Sequence, residues 1–389
     1  MLGLGNSLAR GGVLSGFENN YSLEFDGTDD YVDCGNALHF STTPFTVSAW
    51  VQISDDNSVL SVYGMNDDDF TIFINTEWNY IKVTTSGGES CQVNNAASSP
   101  ANAIKTMVEN GGWHHLVFVR GSGTANNRIY LDSVSHGPDT MATNTINDTD
   151  IADSAHLIGI GDGSDNEPFN GKIDEVAIWD VALSAANVVA IYNSGTPFAL
   201  DEDNGNYDKS GDLQGWWRMG DGALDDFGTA SGLIANQVNP TLGSEMAGSL
   251  DWNNNGSNPY ETFTSSGNVV SEAINTGWGI VYTDDFSLTS GNSYKVRYNL
   301  TLNSGVVPDF ARVSRNDSLD AGTDFSGVPV NGINTHYFSC SDSQSDFKFG
   351  FRLNGSTSWS LSDLSIKPVN GNPGIMTNMD AVDIVKDTP

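Results

Sequence analysis

The stretch FNGKIDEVAIWDVALS, residues 169–184, decides the fold. Its KIDEVAIWD part (172–180) reads as a strand, and ALSAANVVAIYNSG (182–195) then reads as a helix. Ser184 stands as the N-cap, Val188, Ile191 and Tyr192 keep helical spacing, and Gly195 sits where a closing glycine belongs. Working upstream, short β-branched and aromatic runs are broken by Gly, Asn, Asp and Ser. They are YSLEF (21–25), YVDCG (31–35), FTVSAWVQIS (45–54), FTIFIN (70–75), YIKVTT (80–85), WHHLVFVR (113–120), RIYLDS (128–133) and HLIGI (156–160). In FTVSAWVQIS, Phe45, Val47, Ala49, Val51 and Ile53 fall on one face. Such runs predict a sandwich of antiparallel sheets.

Composition agrees. The chain has 389 residues, enough for two or three cores, and its 42 glycines crowd the spaces between apolar runs. With 49 acidic residues against 16 basic ones the net charge is −33. A field of that sign repels phosphate, so neither nucleic acid nor membrane insertion is expected, and no apolar run is long enough to span a bilayer. The same field offers cations many oxygen ligands. Cys34, Cys91 and Cys340 are far apart and odd in number, which points to buried free thiols, with a Cys34–Cys91 disulfide as the alternative. Residues 1–20 read as a glycine-rich arm without the features of a secretory signal.

FDGTDDYVDCG (25–35), FTVSAWV (45–51), WHHLVFVR, IYLDS (129–133), FNGKIDEVAIWDVALS and IYNSG (191–195), in that order, resemble the laminin-G-like, concanavalin-A-type jelly roll over about residues 21–196. Asn187 departs from the Glu that this family often carries in its closing helix. GWWRMGDG (215–222) resembles a segment of virion proteins of marine tailed phages, where it leads shortly into a tail like TMTNMDAxDIVxDTP. Here that tail is PGIMTNMDAVDIVKDTP (373–389), well downstream of GWWRMGDG. The resemblance implies an insertion between the two pieces. Runs such as SYKVRYNLTL (293–302), FKFGFRLNG (347–355) and WSLSDLSIKPV (359–369) give the insert its own strands, and it resembles a carbohydrate-binding-module jelly roll.

The expected fold is therefore all-β, with two antiparallel β-sandwich (jelly-roll) domains, the second inserted in a C-terminal segment. The expected division is an arm (1–20), a first jelly roll (21–196), a connecting segment (197–245), a second jelly roll (246–369) and a terminal segment (370–389) that packs with 215–222.

Calcium needs six to eight oxygen ligands. The FDGTDD turn supplies Asp26, Asp29 and Asp30, and KIDEV supplies Asp174. The laminin-G-like resemblance implies neighbouring first and last strands, so that Asp26 and Asp174 converge on a structural Ca²⁺. Asp162 and Asp165 in GDGSDNEP are secondary ligands. The competing reading is that these carboxylates accept backbone N–H bonds in turns. Sugar recognition needs exposed rings beside hydrogen-bonding groups. Trp252, Tyr260, Trp278, Tyr282 and Trp359 in the insert, and Trp78 with Tyr80 on an expected edge hairpin, are the candidates. For each the alternative is a place in the core. His114 and His115 are adjacent in a strand, so they point to opposite faces and cannot chelate one metal together. No nucleophile elbow, HExxH or P-loop is present, so no enzyme is expected. The expected function is a virion structural protein of a tailed phage, a capsid decoration or tail-fibre appendage, assembled in the host cytoplasm. Its expected partners are other virion proteins, further copies of itself on the particle, and host-surface glycans. The alternative is an extracellular carbohydrate-binding adhesion protein of a bacterium.

Overall fold

The structure, a computed structural model, describes residues 17–36, 38, 40, 42–54, 59–66, 69–94, 111–137, 141–148, 151–152, 154–161, 167–226, 232–238, 240–248, 250–254, 260–266, 269–274, 278–319, 325–341, 343–354, 357–379 and 381–389. For residues 260–278, 325 and 354 the description stops at the backbone. The described chain is all-β, as expected, in four antiparallel sheets.

The decisive strand is Asn170–Trp179. It pairs with Phe45–Ile53 on one side, and on the other with Ser22–Asp26 and then Leu213–Trp217. His114–Arg120, Arg128–Leu131 and Val134–His136 extend this eight-stranded sheet one way, and Ile384–Val385 caps Ser22–Asp26 at the other. Its second half is apolar on both faces because both faces are covered. Ile173, Val176 and Ile178 enter the main core between the sheets. Ala177 and Trp179 lie on the opposite face, under the helix Ala185–Tyr192 and beside Leu200, Tyr207, Leu213 and Trp216. Ile173 and Val176 share a face despite their spacing because a bulge shifts register between Asp174 and Ala177, with Glu175 at φ +48°. Gly171 is required at the strand's start: a Cβ there would lie 2.1 Å from the Gln52 carbonyl oxygen.

Asn187, the departure noted in the sequence, completes a capping box. Its backbone N–H donates to Ser184 Oγ, and its Oδ1 accepts from the Ser184 N–H. Its Nδ2 also donates to the Asn206 carbonyl (2.8 Å) and to Asp208 Oδ1 (3.0 Å). A Glu has no donor for those two bonds.

The facing sheet has nine strands, running in space from Thr143–Asn144 through Ser90–Asn94, Tyr80–Thr85, Phe70–Asn75, Val59–Met65, His156–Ile158, Tyr31–Asp33 and Gly374–Thr377 to Leu233–Ile234. The chain's last residues therefore belong to both sheets of the first sandwich. Met376 and Met379 lie in the main core with Trp217, whose Nε1 donates to the Asn372 carbonyl (3.2 Å). Trp216 faces the other way, stacked on Phe17 at 6.4 Å.

The other two sheets each have six strands. One runs Tyr260–Ser266, Val269–Ile274, Thr357–Asn370, Ser293–Ser304, Gly332–Ser339, with Thr241–Leu242 added to Thr357–Asn370. The second runs Trp252–Asn254, Trp278–Thr283, Gln344–Asn354, Phe310–Ser314, Phe325–Gly327, with Phe286–Leu288 added to Gln344–Asn354. In Ser293–Ser304, Tyr294, Val296, Tyr298 and Leu300 are buried and alternate with Lys295, Arg297 and Asn299. The strands that enter and leave this body pair with each other, Thr241 opposite Asn370 and Leu242 opposite Val369. Leu233, Ala235, Tyr337, Val369 and Ile375 form a small apolar cluster at the junction, beside the Lys295–Asp226 ion pair (2.7 Å). Cys34, Cys91 and Cys340 are buried free thiols, and burial pushes Cys91 up to about 11.

Candidate functional site

The hairpin Phe70–Asn75 and Tyr80–Thr85 presents an aromatic surface. Phe70, Ile72, Ile74, Ile81 and Val83 enter the main core, and Phe73, Asn75, Tyr80 and Lys82 lie on the other side of the hairpin, where Phe73 and Asn75 are buried and Tyr80 and Lys82 half-buried. Between the strands, Trp78 N–H donates to Asn75 Oδ1 (2.6 Å) and Asn79 adopts φ +54°. This tight turn leaves Trp78 with nothing to cover it, and it is 70% exposed. Phe73 and Tyr80 meet edge to face at 6.1 Å, and Lys82 Nζ stands 5.8 Å from the Phe73 ring centre. Asn75 Nδ2 donates to Tyr80 Oη (3.3 Å). On the next strand Asn94 lies opposite Tyr80 and Gln92 opposite Lys82, with Gln92 Nε2 donating to Asn94 Oδ1 (2.6 Å). The accessible groups here are therefore the Trp78 indole, half-buried Tyr80, Lys82 and Gln92, and exposed Asn94. Such a surface can stack on the apolar face of a sugar and hydrogen-bond its hydroxyls. The hairpin is not at the sheet's edge, since Ser90–Asn94 and Thr143–Asn144 lie beyond it.

The other aromatic candidates divide. Trp252 and Trp359 are corrected to core residues, with 4% and 0% exposure, packed against Phe351 at 6.2 and 5.3 Å. Both indoles serve the interior of the second sandwich and leave no ring face for a ligand. Tyr282 is half-buried on the outer side of Trp278–Thr283. The side chains of Trp278 and Tyr260 lie outside the described residues.

Among the acidic candidates, Asp26, Asp29 and Asp30 come together, with carboxylate oxygens within 4.8 Å of one another. Asp30 is buried and accepts from the Asp26 N–H (2.9 Å), while Asp26 Oδ1 accepts from the Thr28 N–H (2.7 Å). Burial pushes Asp30 up to about 6, with Asp26, Asp383 and Asp29 adding to the rise and the Asp26 N–H opposing it. The donor set suits a hard cation, with carbonyls or water completing the shell. Asp174 does not join it. Asp26 pairs with Asn170, so Asp174 lies four residues further along that strand, about 13 Å away at ~3.3 Å per residue. Asp162 and Asp165 lie outside the described residues.

Asp174 instead sits at the bulge, fully buried, accepting from Asn19 Nδ2 (2.9 Å) and the Glu175 N–H (2.8 Å). Burial and neighbouring Glu175 hold it well above the usual carboxylate range. Glu175 is pushed up to about 7 by burial, against the pull of Arg218 and Trp216. His114 and His115 face apart as expected: His114 Nδ1 lies 2.7 Å from Asp132 Oδ2, and His115 stacks on Trp50 at 4.7 Å. Burial lowers His115 to about 3, so it is neutral.

No curated protein matches the chain. Among solved structures, a heptameric SAP-like pentraxin from Limulus polyphemus is 14% identical, with a TM-score of 0.35, covering 45% of this chain and 82% of its own. A carbohydrate-binding protein from Bacteroides ovatus is 14% identical, TM-score 0.38, with 57% and 56% covered. Domain 4 of an extracellular arabinanase from Geobacillus stearothermophilus, in complex with arabinotriose, is 20% identical, TM-score 0.32, with 44% and 76% covered. Residues 26–189, which hold both the aromatic hairpin and the acidic turn, match the family described as the concanavalin A-like lectin/glucanases superfamily.

Proposed function

We propose that this chain is a glycan-binding protein without catalytic activity, and that its first sandwich binds sugar through Trp78 and Tyr80. The observation that carries the reading is Trp78, 70% exposed at a turn held by its N–H bond to Asn75 Oδ1, two residues before half-buried Tyr80. An indole left 70% exposed contributes little to folding, and stacking on a pyranose would bury it. Gln92 and Asn94 supply donors and acceptors for hydroxyls. The match of residues 26–189 to a lectin and glucanase superfamily supports the binding role.

The finer reading is an appendage on the particle of a tailed phage that adheres to host-surface glycans. What supports it is the resemblance of residues 215–222 and 373–389 to virion proteins. Ca²⁺ at Asp26, Asp29 and Asp30 would stabilise the first sandwich by neutralising their mutual repulsion. No described helix is long and apolar enough to cross a membrane.

A glycan microarray probed with the full chain and with Trp78→Ala tests the reading. Binding to at least one glycan is expected, weakened about tenfold in the variant, or roughly 1.4 kcal/mol. Silence across the array, or equal binding by the variant, would contradict it.

A further inference from the structure

The second sandwich carries an arginine arrangement on its outer side. Phe310–Ser314 pairs with Phe325–Gly327 on one side and with Gln344–Asn354 on the other, and Gln344–Asn354 pairs with Trp278–Thr283. Val281, Ala311, Val313, Phe349 and Phe351 fill the core, so the alternate residues face outward. The register lays two rows across that outer side. Ser326, Arg312, Gly350 and Tyr282 form one, and Phe310, Arg352 and Ile280 form the next.

Arg312 is fixed in place. Its Nε donates to Ser326 Oγ (2.9 Å), its Nη1 donates to the Leu319 carbonyl (2.9 Å), and its guanidinium carbon lies 3.8 Å from the Phe310 ring centre. Leu319 is fully buried at φ +55° and covers Gly350, where a Cβ would meet Leu319 Cδ1 at 2.7 Å. Nearby cations are matched: Lys348 pairs with Asp285 and Asp317, and Arg352 stands 3.7 Å from Asp309. Arg312 has no carboxylate partner among the described residues, in a chain where 49 acidic residues face 16 basic ones. Its bonds to a hydroxyl and a carbonyl orient the guanidinium without neutralising it.

We propose that Arg312, seated on Phe310 with Tyr282 across Gly350, binds an acidic sugar unit carrying a carboxylate or a sulfate. The remaining N–H groups of Arg312 take the anion in the paired geometry that guanidinium favours. Half-buried Tyr282 offers ring surface to the sugar's apolar face, while the Phe310 ring is taken by Arg312 and stands 5.8 Å from the Arg352 guanidinium carbon. The site is separate from the Trp78 surface and does not rest on it. Because the chain's overall field repels polyanions, acidic-glycan binding here would be local and not a general attraction.

Affinity electrophoresis of the full chain tests this, in gels holding polygalacturonate, a sulfated galactan or an uncharged galactan. At least one acidic polymer should retard the chain, and the acidic polymer that does so identifies the anion. Arg312→Gln should weaken retardation by the acidic polymer at least fivefold, Arg312→Lys should keep part of it, and neither should change mobility in the uncharged galactan. Exposed Arg352→Gln should weaken it less, which gives a second readout if Arg312→Gln melts early. Absence of retardation by both acidic polymers would overturn the proposal. So would equal retardation of the wild type and both Arg312 variants.

Discussion

Glu175 and Arg218 form a buried ion pair, Oε1 to Nε 3.0 Å, where three distant parts of the chain meet. Trp216 Nε1 donates to the other Glu175 oxygen at 2.5 Å. The Arg218 guanidinium lies 4.3 Å from the Phe17 ring centre and donates to the Glu18 and Asp221 carbonyls. Asp221 in turn accepts from the Asn20 and Tyr21 N–H groups at 2.6 and 2.7 Å. The pair thus fastens residues 17–21 and 216–221 to the bulge in the central strand. Arg218→Met should cost roughly 3–5 kcal/mol, because it strands a buried carboxylate. Adding Glu175→Gln should recover part of that loss. Urea denaturation of the two variants checks it, and a double variant less stable than the single one would count against the pair.

Stability should rise on mild acidification. Burial pushes Asp30 and Asp225 up to about 6 and Glu175 up to about 7, and holds Asp174 well above its usual range. Each folded-state value exceeds the unfolded one. These groups therefore contribute stability that is complete below about pH 4 and lost as pH rises through about 6–7. Glu245 and Asp387 are lowered and act oppositely only as pH falls toward the ordinary carboxylate range, and buried His115 and His336, lowered to about 3 and about 4, and His136 also oppose the rise once pH falls below about 6.5. The melting temperature should be higher at about pH 5 than at about pH 8, and Asp174→Asn should flatten the difference. A melting temperature that falls steadily from pH 8 to 5 would contradict this account.

The acidic turn makes a separate prediction. If Asp26, Asp29 and Asp30 hold Ca²⁺, saturating calcium should raise the melting temperature of the first sandwich, by about 2.7 kcal/mol of linkage at a hundredfold excess over Kd. Asp29→Asn, at an exposed position, should abolish the calcium effect while leaving the apo melting point almost unchanged. Identical curves with chelator and with calcium would remove the ion from the account.

Because Leu242 and Val369 are paired neighbours on antiparallel strands, a short glycine turn can join them directly. Replacing residues 243–368 in this way should leave a folded first sandwich with its melting transition intact, since its core residues lie outside the deleted stretch. Binding at the Trp78 surface should persist and retardation by acidic polymers should vanish. A deletion variant that fails to fold would show that the junction cluster around Tyr337 and Ile375 is indispensable.

Much of this fold was legible in sequence, for identifiable reasons. The strand in 169–184 shows because both its faces are covered, and a doubly covered strand reads as an almost unbroken apolar run. The helix shows through Ser184, although the partner that closes its capping box is an amide the resemblance did not supply. Trp78 stands out because a turn precedes and follows it. Phe73 does not, since every residue of FTIFIN is buried and only the register shows which of them face the main core. The indoles of Trp252 and Trp359 look the same in sequence whether they face core or solvent. Their parity is set by neighbours with register shifts, such as those at Arg297/Asn299 and Leu302/Ser304, which leave no compositional trace. Asp174 was misplaced for the same reason: the bulge beside it turns its carboxylate toward Asn19 and away from Asp26.

The most direct test of the central claim is a crystal structure of the full chain with the strongest array ligand. The account predicts a sugar ring stacked on the Trp78 indole within van der Waals contact, with hydroxyls hydrogen-bonded to Gln92 or Asn94. A ligand bound elsewhere, with the Trp78 indole bare, would contradict it.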